Sequence, residues 1–580
     1  MRSCTDNALS KRLCHYEFFV GELPSIIRIH NDSKSNYESM IYDKTISSKR
    51  FLGINGKSPG PKIEVCLGDT IEVLLYNRLG SDELSFHWHG LPQKNSAHMD
   101  GVSMITQCSI LPFGGFRYKL KPENVGTYIY YAHVVSQQGD GVYGSLTVRG
   151  PQDDPSLERI LLLSSRPPTP LSQYSHLHPP TPSELLLNGQ NNGSTLNVHH
   201  GAKYLLRLIN ANAYNCPVLL SISGHDFQVS ATDGNPVEPA TGRHIVSFPG
   251  ERFDLIIEAN QPPGKYLIDI RGFLNCQNLH QEAFILYDDT KPESTIIKDE
   301  ELLKINDYAI ANKGHDCHKI SRNLICALDL KGSKRAEIYS NEVIYIPFDV
   351  NTYSHFTDEM SDYRYNVYGC PFYPSDLSTN KEGVKVAQIN RMSFKYPTSP
   401  LLSQPENTPT ESICSLERRS RACTDTPLFC ECIQVIEVSP GKNVDIILLD
   451  EGFGGNISQT FHIHGYNASI LGRNSFEHAI TKDDIMLLDH NKQLHRNVLN
   501  PPQKDSFIVP NKGYVILRLF TDNLGYWLWE ARSTAISPGI SGPVMQFLLK
   551  VGNDKNFLSV PLNFPTCGNN KHPDMIFEQN

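Results

Sequence analysis

Residues 126–148 read GTYIYYAHVVSQQGDGVYGSLTV and residues 68–79 read GDTIEVLLYNRL, short apolar or alternating runs bounded by Gly, Asn and Asp. A strand turns successive side chains to opposite faces, so runs of this length and rhythm predict buried or half-buried β-strands. The rhythm returns twice. A second set comprises STLNVHHGAKYLLRLINA (194–211), DFQVSATDG (226–234), RFDLIIEA (252–259) and GKYLIDI (264–270). A third comprises NVDIILLDEG (443–452), QTFHIHGYNASILG (459–472), GYVILRLF (513–520) and GPVMQFLLKVG (542–552). The expectation is an all-β chain of three β-sandwich domains in tandem.

Around these sets the expected divisions are an irregular Cys-containing arm over 1–50, a first domain over 51–152 and a second over 153–300. A connecting segment over 301–345, a third domain over 346–552 and a tail over 553–580 complete the chain. At 580 residues the chain exceeds a single core, and 39% hydrophobic with 20% charged residues is a globular composition. A net charge of −9 without a recurring basic stripe argues against a nucleic-acid partner. No apolar run is long enough for a transmembrane helix.

The 14 Cys include no zinc-type CxxC pair, so they read as disulfides, the Cys317/His318 patch and Cys430-Glu431-Cys432 included. Sequons stand at Asn31, Asn192, Asn456 and Asn467. The opening MRSCTDNALSKRL has no apolar secretory stretch. The expectation is a secreted protein whose signal lies outside this sequence, with an extracellular protein or small ligand as its unidentified partner.

The chemistry concentrates in two units, His87-Trp88-His89-Gly90 and His462-Ile463-His464-Gly465. With a period of two, each strand turns both imidazoles to one face, and two such strands meeting could offer four nitrogens to copper. His176-Leu177-His178, set among prolines, has the same spacing without that context, and Asp100-Gly101 reads as a turn.

These segments resemble multicopper oxidases in the family's own order. FHWHG (86–90), MDGVSMITQCSI (99–110) and the 126–150 stretch are similar to the first domain. LRLINANAYNCPVLLSISGHDFQV (206–229) and GERFDLIIEANQ (250–261) are similar to the second. FHIHGYNASILG (461–472), LLDHNKQLHRNVLNPPQKDSF (487–507) and DNLGYWLW (522–529) are similar to the third. The resemblance covers about 50–552 and is nearest in detail to insect laccase-like members, within a degenerate subgroup that lacks copper ligands. It implies cupredoxin-like Greek-key domains, with a trinuclear copper cluster between the first and third.

Carried over position by position, the resemblance makes His87 and His462 type 2 ligands and His89, His133 and His464 type 3 ligands. Tyr131 stands where the family's second His-x-His strand has a type 3 histidine, and Glu530-Ala531-Arg532 where the fourth has His-Cys-His. Gln459 and Ile536 fall at the two type 1 histidine positions, and Ala531 at the type 1 cysteine. Cys108 is implied to bridge to Cys567. Glu530 and Arg532, two apart on a strand, are expected to share a face and join Tyr131 and the histidines in a polar network without metal.

The leading expectation is therefore a non-catalytic relative that binds a partner, with no cofactor or at most one copper ion at His87 and His462. The alternative is a copper-binding oxidoreductase, a phenol oxidase or ferroxidase, using that type 2-like pair. A metal carrier without turnover is the third reading.

Overall fold

The computed structural model describes residues 4, 11–24, 50–173, 179–288, 290–291, 294–299, 305, 317–353, 384–418, 431–454, 458–537, 540–541, 544–553 and 560–568. Asn31, His176, His178, Cys430 and Asn456 lie outside them. Three successive pairs of sheets form three sandwiches, each closed over its own apolar core.

In the first, one sheet runs in the order Leu52–Ile54, Leu13–Glu22, Thr70–Asn77, Gly115–Leu120. The other runs Ile63–Cys66, Tyr143–Arg149, Gly126–Ala132, Phe86–His89. The segment expected to be an irregular arm thus supplies a ten-residue strand, Leu13–Glu22, parallel to Thr70–Asn77. Its alternation explains the difference. Phe18 and Val20 enter the first core, and Cys14 and Tyr16 pack against it.

In the middle sandwich, Leu206, Phe253 and Ile268 lie between a six-stranded and a seven-stranded sheet. Leu324–Cys326 adds to the second of these beside His244–Ser247, so part of the segment expected as connection belongs to this sheet. The third sandwich encloses Ile446, Phe461, Trp527 and Phe547. Its strand Glu342–Tyr353 lies between Asn443–Asp450 and Val384–Ile389.

Among the described residues, five disulfides join Cys4–Cys66, Cys108–Cys567, Cys216–Cys276, Cys317–Cys326 and Cys414–Cys432. Cys108–Cys567 closes a separation of 459 residues and fastens the tail, with Phe564, to the first core. Cross-linking removes freedom from the unfolded chain. Cys567→Ser is expected to lower stability by about 2–4 kcal/mol, read by denaturant unfolding without reductant. An unchanged midpoint would mean that the bridge constrains nothing. Among the described residues, no helix is long and apolar enough to cross a membrane.

Candidate metal centre

Two strands meet where the first and third domains face each other. Phe86–His89 lies antiparallel to Gly126–Ala132, with His87 opposite Tyr131. Gln459–Ile463 lies against Gly525–Ala531, with His462 opposite Glu530. Phe86 and Trp88 fill the first core and Phe461 and Ile463 the third, so strand alternation sends the histidines between them outward, toward the interface. All five of His87, His89, His133, His462 and His464 are buried there.

His87 and His462 face each other, Nε2 to Nε2, at 3.1 Å. His87 Nδ1–H donates to the Asp100 carbonyl oxygen at 2.9 Å, and His462 Nδ1–H to the Asp505 carbonyl oxygen at 3.0 Å. A carbonyl only accepts, so each ring carries its hydrogen on Nδ1 and aims a lone pair at the other. Burial, then the charge of neighbouring His464, pushes the His87 pKa down to about 3, and burial also lowers that of His462. Both rings are neutral. Two lone pairs at this distance repel unless a cation lies between them.

Gly101 makes this arrangement possible. Its φ of +85° turns the chain, and a Cβ there would lie 1.6 Å from the Phe86 carbonyl oxygen. The sequence read Asp100-Gly101 as a turn alone, yet Asp100 also serves the site. Its carboxylate accepts from His464 Nδ1–H at 2.8 Å, while Glu530 Oε1 accepts from Nε2–H at 3.3 Å. Burial opposes charge on this ring, but the two carboxylates outweigh it and raise the His464 pKa to about 9. His464 is an imidazolium with neither nitrogen free.

This has a pH consequence. The folded pKa lies above the ordinary 6.5, so the contribution is complete below about pH 6.5 and is lost as pH rises through about 9, up to about 3 kcal/mol. Denaturant unfolding of metal-free protein should show stability falling across that window. A flat profile would rule out the doubly bonded cation.

Glu530 was expected to share a strand face with Arg532. Instead the strand ends at Ala531 and Arg532 opens the 3-10 turn Arg532–Ile536. The pair still forms, Arg532 Nη1 donating to Glu530 Oε1 at 2.9 Å. Arg532 also bonds Gln138 and the His133 carbonyl oxygen, and lies 4.4 Å over the Tyr131 ring. Burial would raise the Glu530 carboxyl, but Arg532 and His133 hold it well below its usual range. His133 Nε2 lies 3.5 Å from Glu530 Oε1, an ionic distance rather than a hydrogen bond.

His89 faces away from this group. Its Nδ1 lies 2.9 Å from the Tyr131 hydroxyl, and its Nε2 2.8 Å from Ser506 Oγ and 3.2 Å from Asp505 Oδ1. Asp505 is gripped through both oxygens by Arg252 of the middle domain, at 2.6 Å each. Lys504 lies within 3.0 Å of Asp233 and 3.2 Å of Glu251 in the same buried charge cluster. No local pattern in the sequence marks this cluster.

The other positions are scattered. Gln459 is buried with Oε1 unpartnered among the described groups, Ala531 lies in the third core and Ile536 packs with the middle core. A cavity of about 30 Å³, room for one or two waters, reaches His89, Tyr131, His462, Glu530 and Arg532 between the three domains.

Multicopper oxidase family models match residues 36–153, 151–290 and 396–534, in order and over more than half of the sequence. The chain belongs to the multicopper oxidase family. It is 26% identical over 567 residues to Laccase-14 of Oryza sativa subsp. japonica, spanning 89% of this chain and 91% of that one. It is also 26% identical over 543 residues to a laccase of Neurospora crassa, spanning 89% and 77%. The solved laccase of Botrytis aclada shares the fold, with a TM-score of 0.68 at 21% identity over 96% of this chain and 91% of that one. The three sandwiches are tandem cupredoxin-like domains.

Multicopper oxidases use copper, and the buried, neutral imidazoles of His87 and His462 suit it. Their Nε2 atoms, 3.1 Å apart with lone pairs turned inward, would hold the copper ion together. The carbonyls on Nδ1 fix the ligating tautomer. Groups within metal-holding distance are His87–His462–His464, His89–His462–Asp505 and His133–His464–Glu530. His464, shared by the first and third, has hydrogen-bonded protons on both nitrogens. In the second, His89 Nε2 is hydrogen-bonded to Ser506 Oγ, which leaves the Nε2 atoms of His87 and His462 as the facing lone pairs. The nearby Arg532 charge is balanced by Glu530, 2.9 Å away.

The expectation of a non-catalytic protein without a cofactor is overturned. Relatives along nearly the whole chain are named laccases, and buried histidine groups able to hold copper persist. The sequence argument gave more weight to the positions that differ from the family than to the His87–His462 pair, which it carried only as the alternative.

Proposed function

We propose that this chain is a secreted copper-binding oxidoreductase, a phenol oxidase or ferroxidase, with copper held by His87 and His462. The observation that carries the reading is the pair of inward lone pairs, 3.1 Å apart and each fixed by a backbone carbonyl. Copper supplies one-electron chemistry that links a reductant to dioxygen. The protein's own groups do the rest. Asp100 and Asp505 orient the two rings through their backbone carbonyls, Arg252 fixes Asp505, and the cavity has room for molecules of about the size of water.

With Gln459, Ala531 and Ile536 at the type 1 positions, no thiolate or imidazole is available there, and electrons enter by a route other than a blue copper site. Five disulfides support an extracellular setting. Copper content by mass spectrometry, with the visible spectrum and dioxygen uptake on a phenol or ferrous iron, tests the reading. The expected result is about one copper per chain, no intense blue band, and uptake that disappears when copper is removed. Copper that fails to bind, or uptake indifferent to it, would defeat the proposal.

A further inference from the structure

Tyr131 is buried beside the copper-binding rings, its own ring 5.6 Å from that of His87, and it lines the cavity between the domains. Its surroundings define where its proton can go. The Ser506 hydroxyl donates its one hydrogen to Asp505 Oδ1 at 2.9 Å. Ser506 Oγ must then accept from His89 Nε2–H, as the Asp505 carboxylate 3.2 Å away also does. The His89 hydrogen is therefore on Nε2. Nδ1 is a lone pair, and the Tyr131 hydroxyl donates to it at 2.9 Å.

We propose that Tyr131 is a redox-active residue that gives up one electron together with its phenolic proton, the proton passing to His89 Nδ1. Three features support this. The acceptor is already hydrogen-bonded, and the Asp505 carboxylate 3.2 Å from its Nε2, though shared with Arg252, offsets part of the positive charge that His89 gains. Arg532, 4.4 Å over the ring, makes a ring cation costly, so the electron leaves only with the proton. Other buried phenols, Tyr130, Tyr214 and Tyr466, donate to backbone carbonyls, which take no proton. Tyr287 does face an imidazole, His225 Nε2 at 2.8 Å, but a carbonyl backs that ring instead of a carboxylate.

The step balances as follows. The Tyr131 O–H bond breaks, a new N–H bond forms at His89 Nδ1, and the electron reduces a one-electron oxidant such as copper(II) to copper(I). A phenol or ferrous ion then returns one electron, and His89 returns the proton. The role of Tyr131 beside copper rests on the proposed function; oxidation of the phenol itself does not.

The test uses the full-length, metal-free chain, so a failure of copper binding leaves it intact. Hexachloroiridate(IV) serves as the oxidant, and frozen samples are read by electron paramagnetic resonance. A tyrosyl signal is expected that forms more slowly in heavy water, loses most of its amplitude in Tyr131→Phe and survives in Tyr287→Phe. No signal, an equal signal in Tyr131→Phe, loss in Tyr287→Phe instead, or no effect of heavy water would overturn the proposal. Should Tyr131→Phe fold poorly, difluorotyrosine placed at 131 keeps the ring and hydroxyl. Fluorine splitting of the signal would support the assignment, and an unsplit signal would overturn it.

Discussion

Arg252→Ala is expected to destabilise the protein by about 3–5 kcal/mol, the usual effect of leaving a buried charge without its partner. The Arg252 side chain is fully buried, and its two terminal nitrogens hold both oxygens of Asp505 at 2.6 Å. Its Nε donates to the Thr127 carbonyl oxygen of the first domain, and Nη1 also lies 3.4 Å from Asp233. One side chain of the middle domain therefore bonds groups in all three. Burial opposes the guanidinium charge, but Asp505 and Asp233 outweigh it and raise its pKa. Without it, Lys504 is left to face three carboxylates, those of Asp233, Glu251 and Asp505. Denaturant unfolding should show the loss, with Arg252→Lys intermediate because it restores the charge but not the two-pronged grip. A change under about 1 kcal/mol would show that water replaces the pair, as it does for exposed ion pairs.

His462→Ala is expected to weaken copper binding by more than about 100-fold, since altering only the groups that orient a ligand costs about 10–100-fold. His87→Ala should match it, because the two Nε2 atoms are the inward lone pairs of the centre. Asp505→Asn should fall in the smaller range, as it keeps the backbone carbonyl that fixes His462 and weakens the Arg252 grip. His464→Ala should change copper affinity least, both of its nitrogens being bound to carboxylates. Competition with a chelator ranks the four. Equal losses in His462→Ala and His464→Ala would assign the ion to the three-histidine group instead.

The three-domain order and the two histidine pairs were legible because strand period is a local property, written in residues two apart. Leu13–Glu22 was legible too, in the alternation of Cys14, Tyr16, Phe18 and Val20, but flanking cysteines and irregular sequence masked it. Arg252, Lys504 and Asp505 were not. Charged residues are ordinarily read as outward-facing, and nothing local reveals that partners 253 residues apart will bury one another. The roles of individual histidines were hidden for a related reason. His89 and His464 have the same strand environment in sequence, and only Tyr131, Asp100 and Glu530, brought in from other strands, set their protons. Arg532 shows the reverse. The predicted partner was right although the backbone that delivers it turns instead of continuing as a strand.

The bond between Cys108 and Cys567 also sets a schedule. A chain made from its N-terminus at about 5–20 residues per second takes roughly 20–90 s to extend from one of these cysteines to the other. Through that interval the first domain can assemble its sheets while its Cys108 thiol waits for a partner not yet synthesised. Premature joining to one of the intervening cysteines would be a covalent error, to be undone by thiol exchange before the tail could take its place. Maturation of this protein is thus paced by the arrival of Cys567, and an oxidoreductase that reshuffles disulfides should speed its appearance more than a chaperone that only shields apolar surface.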